Sequence, residues 1–237
     1  MNRHSRRSDR RPGLPLLAAA MLLAGLTLAA GCETQSMIRE KGETAYYAGD
    51  YEQAQHHYRR AIDRWPTDHR AHYQLAQSYM QTDQPGRAQR HFEQALSLRR
   101  TDPDWAPMLL DHIAEAIHQQ DRPERLQAFL EQTVQDYGTT RDRLRQAEYL
   151  VKIGDLDGAR LAYRKAAYFA DADNPEPYVA IADFYEMLDD APSAVRALRW
   201  AHYVNPQDTD IAERLRRYGV TPGPTAAEAP PKSELLR

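Results

Sequence analysis

Beyond residue 32, apolar residues recur three and four positions apart with charged residues between them, a helical pattern. Leu75, Tyr79 and Met80, for example, stand at i, i+4 and i+5 on one face. Nothing in this region alternates with period two over a convincing length, so no sheet is expected. The helical pattern also repeats. Ala54, Tyr58 and Ala61 return 34 residues on as Ala88, Phe92 and Ala95. They return again as Ala159, Tyr163 and Ala166, and 35 residues later as Ala194, Leu198 and Ala201. Twelve places before each first alanine stands another small residue: Gly42, Ala76, Ala147 and Ala182. Small side chains let paired helices approach closely, and an aromatic fills the space beside each crossing. Pro66 and Pro206 end helices, because proline has no N–H and clashes with the preceding turn.

This period and pattern resemble the tetratricopeptide repeat, a 34-residue helix–turn–helix unit. The resemblance implies an all-α, right-handed superhelical solenoid of about five units. They are assigned to residues 35–68, 69–102, 107–140, 140–173 and 175–208. Gly49 and Gly154 mark turns within units. The third unit departs: Leu126, Leu130 and Thr133 replace the alanine–aromatic–alanine set, 38 residues after Ala88. The extra residues fall in Arg100–Asp104, between predicted helices over Trp105–Gln119 and Pro123–Tyr137. This degenerate unit either bends the stack or widens its groove, or it has simply diverged. Residues 209–218, with Ile211, Leu215 and Tyr218, read as a capping helix, which solenoids need for solubility. The Pro- and Ala-rich tail, 219–237, is expected to be disordered.

The N-terminus carries a different signal. Arg3, Arg6, Arg7, Arg10 and Arg11 precede an uncharged run from Leu14 to Ala30, which ends Ala29-Ala30-Gly31-Cys32. A basic start, an apolar stretch and small residues at the end are the parts of a secretory signal peptide. The cysteine that follows resembles the lipobox of bacterial lipoproteins, although Ala29 stands where leucine is usual. That resemblance implies removal of residues 1–31, lipidation of Cys32 and a tether over 32–36, with the first helix opening at Met37 or Ile38. The competing reading is an uncleaved anchor, since 17 residues is the lower end of a membrane span. Glu33, after the cysteine, favours the outer membrane over the inner, facing the periplasm.

Composition narrows the function. The 237 residues have a mean hydropathy of -0.77, which rules out a polytopic membrane protein, and Cys32 is the one cysteine, which rules out a disulfide framework. The formal charge of -3 falls to -7 when 1–31 are removed, against nucleic-acid binding. No phosphate-cradling glycine loop, H-E-x-x-H, G-x-S-x-G or paired-cysteine spacing is present, so no catalytic residue, metal or cofactor is expected. His69 and His72, near His56 and His57, read as surface histidines rather than ligands.

In the resembled family the first helix of each repeat faces a concave surface. By register those residues are Arg39, Glu43, Tyr46 and Tyr47, then Arg70, Tyr73, Gln77 and Met80. Leu144, Glu148, Val151, Val179, Asp183 and Met187 continue the row in the last two units. Apolar anchors between charges of both signs suit an extended peptide or helix. The expectation is a lipid-anchored, non-enzymatic adaptor for a protein partner at the cell envelope, aiding assembly of a pilus, secretion or outer-membrane complex. The alternative is an envelope sensor for a small molecule or glycan fragment.

Overall fold

The computed structural model describes residues 33–233 and 235, so the expected signal peptide, cleavage before Cys32 and lipidation of Cys32 fall on residues outside the described ones. Eleven helices occur among the described residues, and no strand. They form five antiparallel pairs and a closing helix. These are α1 Gln35–Tyr47 with α2 Tyr51–Arg64, α3 His69–Gln81 with α4 Pro85–Arg99, and α5 Trp105–His118 with α6 Pro123–Asp136. Then come α7 Thr140–Lys152 with α8 Leu156–Phe169, α9 Glu176–Met187 with α10 Ala191–Val204, and α11 Thr209–Arg217. The first helix opens at Gln35, capped by Thr34, two residues earlier than expected. None of the described helices is long and apolar enough to cross a membrane.

One turn is reused inside every pair. Gly49 and Gly154 have φ of +79° and +84°, and Asp83, Asp121 and Asp189 occupy the same left-handed region at the equivalent places. In four of the pairs the next residue's N–H reaches back across the turn, from Asp50 to Ala45, Gln84 to Tyr79, Asp155 to Leu150 and Asp190 to Tyr185. Such a bond satisfies a carbonyl that the helix end leaves without a partner. Asp50, Asp155 and Asp190 then cap the second helices through their carboxylates. Between pairs, Trp65 and Asn205 precede prolines and leave the helical region, with φ of -134° and -131° and ψ of 81° and 84°, as a following proline disfavours the helical backbone.

The repeating small residues are all buried: the paired alanines are fully covered, as is Leu126. The third unit also keeps the upstream small residue, Ala114, twelve places before Leu126 and fully buried. Gly42 shows why these positions stay small. A Cβ built there would lie 2.5 Å from the Tyr58 ring, which is itself 1% exposed. The core divides at α7, one cluster running from Ala45 to Tyr149 and another from Leu144 to Leu235.

Residues 219–233 and 235 differ from the expectation of disorder. Glu228 donates its N–H to the Arg199 carbonyl and accepts from Trp200 Nε1, both at 3.4 Å. Lys232 Nζ donates to the Ala170 carbonyl at 3.3 Å, and Ala226 and Leu235 are each 3% exposed. The composition is too poor to build a core of its own, but the segment borrows one. The tail lies across the second helices of the final pairs, reaching the end of α8 and the face of α10 around Arg199 and Trp200.

Candidate partner-binding groove

The first helices form one inner row. Backbones of α1 and α3, of α5 and α7, and of α7 and α9 approach closely. Between α3 and α5 the junction is made by side chains. Trp105 packs edge-on against His69 and Tyr73, with ring centroids 4.6 and 5.5 Å away. Gln77 Nε2 donates to the Tyr73 hydroxyl at 2.6 Å, and that hydroxyl lies 3.2 Å from His112 Nε2. Burial lowers the His112 pKa, which favours the neutral ring that can accept the Tyr73 proton. The inserted residues ahead of α5 therefore separate two first helices, and aromatic rings span the gap.

Position along each first helix decides what a side chain does. The fifth residue is committed to the fold in two units. Arg39 Nε lies 3.4 Å from Asp68, whose side chain is 3% exposed and caps α3. Leu144 is 5% exposed and belongs to the core, so its assignment to the groove surface is corrected: α7 is held between α5 and α9, and this face is covered. Met80, Val151 and Val179 are half-buried against the core and offer only an edge. Tyr46 is half-buried, packed edge-on against Tyr51 and Tyr47, whereas Tyr47 itself is 86% exposed. Arg70 and Met187 are exposed.

The residues that follow the five small positions form a row along the inner face: Glu43, Gln77, Glu115, Glu148 and Asp183, four of them acidic. Glu43 accepts from Gln74 Nε2, and Asp183 pairs with Arg214 at 2.6 Å, which also holds Glu186. Glu115 accepts from Gln119 and Tyr149 and pairs with Lys152 at 3.3 Å. Burial pushes its carboxyl up, but those bonds and the Lys152 charge outweigh it and hold the pKa below the ordinary value. Glu148 has no ion pair among the described residues. Glu148 is exposed, but partial desolvation by its surroundings, and then the nearby Asp111, raise its pKa.

The register for the third unit escaped the sequence reading, and with it Asp111, His112 and Glu115. Asp111 binds Arg141 and also Arg145, the latter at 2.5 Å, and Arg145 in turn binds Asp142 at 2.8 Å. Ala114 was the available signal, since it fixes α5 relative to Leu126. No three His, Cys, Asp or Glu among the described residues are placed to hold a metal ion. His72 is buried and faces His91, Nδ1 to Nδ1 at 3.1 Å, instead of joining His69, and its Nε2 lies 3.0 Å from the Pro66 carbonyl. Nε2 must donate to that carbonyl, so His72 Nδ1 accepts the His91 proton.

A tetratricopeptide-repeat family model matches residues 45–113. No curated protein matches the chain. Among solved structures, the chain is similar to a MamA protein with a TM-score of 0.51 and 17% identity, covering 80% of this chain and 98% of that one. It is also similar to MamA, residue 41 to the end, from Desulfovibrio magneticus RS-1, with a TM-score of 0.50, 16% identity and coverage of 76% and 99%. A tetratricopeptide-repeat protein of Thermus thermophilus matches with a TM-score of 0.47 and 20% identity, covering 78% and 98%. The two MamA likenesses concern the fold, and with the eleven described helices they make it a tetratricopeptide-repeat superhelical solenoid.

Proposed function

We propose that this tetratricopeptide-repeat solenoid is a non-enzymatic scaffold that holds a protein or peptide partner along its first helices, moored by a lipid on Cys32 at a bacterial cell envelope. The observation that carries the reading is the inner row itself. Tyr46, Tyr47, Tyr73 and Met187 offer apolar surface beside a line of carboxylates. Most of those carboxylates are already engaged within the protein, whereas Glu148 has a raised pKa and no ion pair among the described residues. An extended or helical segment with alternating apolar and basic residues fits that arrangement, its cation over Glu148. Assembly of an envelope complex is the role we assign to such a partner.

The mooring has a structural correlate. Glu33 pairs with Lys41 and Arg60, each at 2.5 Å, so the chain immediately after Cys32 is tied to α1 and α2. Three extended residues reach only about 10 Å. A lipid on Cys32 would hold the N-terminal end of the solenoid at the bilayer surface, with the inner row leading away from it.

Crosslinking in membranes, followed by capture of the full chain, tests the groove. Tyr47→Ala and Glu148→Gln should each deplete the same partner, with helicity unchanged. Recovery unaffected by both variants would remove the groove from consideration. Cys32→Ala should abolish lipid labelling and leave precursor; normal processing would refute the anchor. The sensor reading rests on a separate cavity of about 660 Å³ between α10, α11 and the tail, lined by His202, Tyr203, Pro206, Arg216 and Pro222. That volume is in the range of small-molecule sites. Thermal stabilisation by a glycan or metabolite mixture, with no protein captured, would favour it.

A further inference from the structure

The C-terminal tail contributes little to the solenoid's architecture, yet it is seated like a ligand. It lies against second helices, away from the inner row, and its contacts are of two kinds. Ala226 and Leu235 are apolar anchors, each 3% exposed, and Leu235 joins the core cluster of the final pairs. Between them run main-chain and polar clips. The Glu228 N–H reaches the Arg199 carbonyl, Trp200 Nε1 reaches the Glu228 carboxylate, and Lys232 Nζ reaches the carbonyl of Ala170 at the end of α8. Buried anchors for specificity and main-chain bonds for affinity are how grooves hold extended peptides. Pro224, Pro230 and Pro231 stiffen the segment, so it loses less freedom on docking than a flexible one would. Over Pro222–Pro224 the chain stands off the solenoid, with the cavity of about 660 Å³ beneath it. It is thus attached beyond an arch instead of packed throughout its length.

We propose that the second helices of the last two repeats, around Trp200 and the end of α8, form a binding site for a proline-rich segment anchored by leucine, which the chain's own tail occupies in cis. A short tether gives the tail a millimolar effective concentration, so a free segment of the same chemistry competes only when its concentration is comparable or its anchor is stronger. This site is independent of the inner row and does not rest on it.

The probe is a fluorescent synthetic peptide of residues 221–237, titrated by anisotropy against the full chain and against its Leu235→Asp variant. Releasing the tail should make the variant bind the peptide at least about tenfold more tightly than the parent chain. The same peptide carrying Leu235→Asp should lose binding. Circular dichroism reports whether the variant stays helical; if it does not, Ala226→Glu in the chain serves as the release variant. Equal affinity for parent and released chains, or no binding to a released and folded chain, overturns the proposal. A concentration-dependent dimer of the parent chain that Leu235→Asp abolishes would place the tail on a second copy and overturn occupation in cis.

Discussion

Gly42→Ala sets two effects of opposite sign against each other. Glycine inside a helix is about 1 kcal/mol worse than alanine, so on propensity alone the substitution stabilises. Packing opposes it. The new methyl would lie 2.5, 2.8 and 2.9 Å from three ring atoms of Tyr58, distances that real contacts do not reach. Tyr58 is 1% exposed and sits between Ala54 and Ala61, both fully buried, so the ring has no free space to turn into. Overpacking of this kind costs about 1–3 kcal/mol, and the clash with a ring body places it toward the upper end. The net expectation is a loss of about 1–2 kcal/mol. In a solenoid the end unit opens before the rest, so the loss should concentrate in α1 and α2. Hydrogen exchange should show amides of Gln35–Arg64 losing protection by about tenfold or more, with the α9–α10 amides unchanged. Tyr58→Leu in the same chain should recover part of the loss, because it removes the ring atoms that the methyl meets. A Gly42→Ala protein at least as stable as its parent would refute the steric account of the small positions.

Three further outcomes can be measured. Burial, then the neighbouring His72, push His91 down to about 4, so between the ordinary imidazole range and that value the unfolded chain binds more protons than the folded one. Stability should therefore fall as pH drops from about 6.5 toward 4, by at most about 2 kcal/mol at pH 5, and His91→Gln should flatten that slope in urea titrations. Gly154→Ala should cost about 1–2 kcal/mol although nothing lies within 4 Å of the new methyl, because φ is +84° there; Asp189→Gly, at φ +56°, should be neutral or stabilising, as denaturant midpoints would show. In α6, hydrogen exchange should be faster than in α4 or α8, since cavities of about 210 and 260 Å³ flank it on either side. Equal protection in the three helices would count against a loose third unit.

The architecture was legible because its determinants are steric and periodic. Small residues at fixed intervals can be read without knowing what they touch, and all of those in the described units are buried. The turns were only half legible. Gly49 and Gly154 are visible as glycines, but Asp83, Asp121 and Asp189 adopt the same left-handed backbone, which aspartate tolerates by bonding locally. The groove was less legible still. Extending one register across all units assumes that every first helix is equally exposed, and α7, held between α5 and α9, buries Leu144. Arg39, at the same place in α1, turns instead to Asp68, a partner that lies outside its own helix and so outside any periodicity. The tail was misjudged for a similar reason. Composition measures whether a segment can bury itself, not whether a neighbouring surface will accept its two anchors.

The third repeat connects these observations. Leu126, Leu130 and Thr133 are buried, so α6 is part of the stack, but the leucine at the aromatic place fills less volume than Tyr58, Phe92 or Tyr163. Open clefts of about 210 and 260 Å³ lie on both sides of α6, and its pairing with α5 is the loosest of the five pairs. Ahead of it, α3 and α5 are joined through the rings of Tyr73, Trp105 and His112 instead of by close backbones. Behind it, α5 is fixed to α7 by Asp111 with Arg145 and by Glu115 with Tyr149 and Lys152. The stack is nevertheless continuous at this point, because α4 packs closely along α5. The Tyr73–His112 contact lies in the inner row itself, so the inserted residues change the surface of the row and not the continuity of the stack. The departure from the repeat pattern therefore replaces close backbones with aromatic rings where α3 meets α5, and leaves the second helices to carry the stack across.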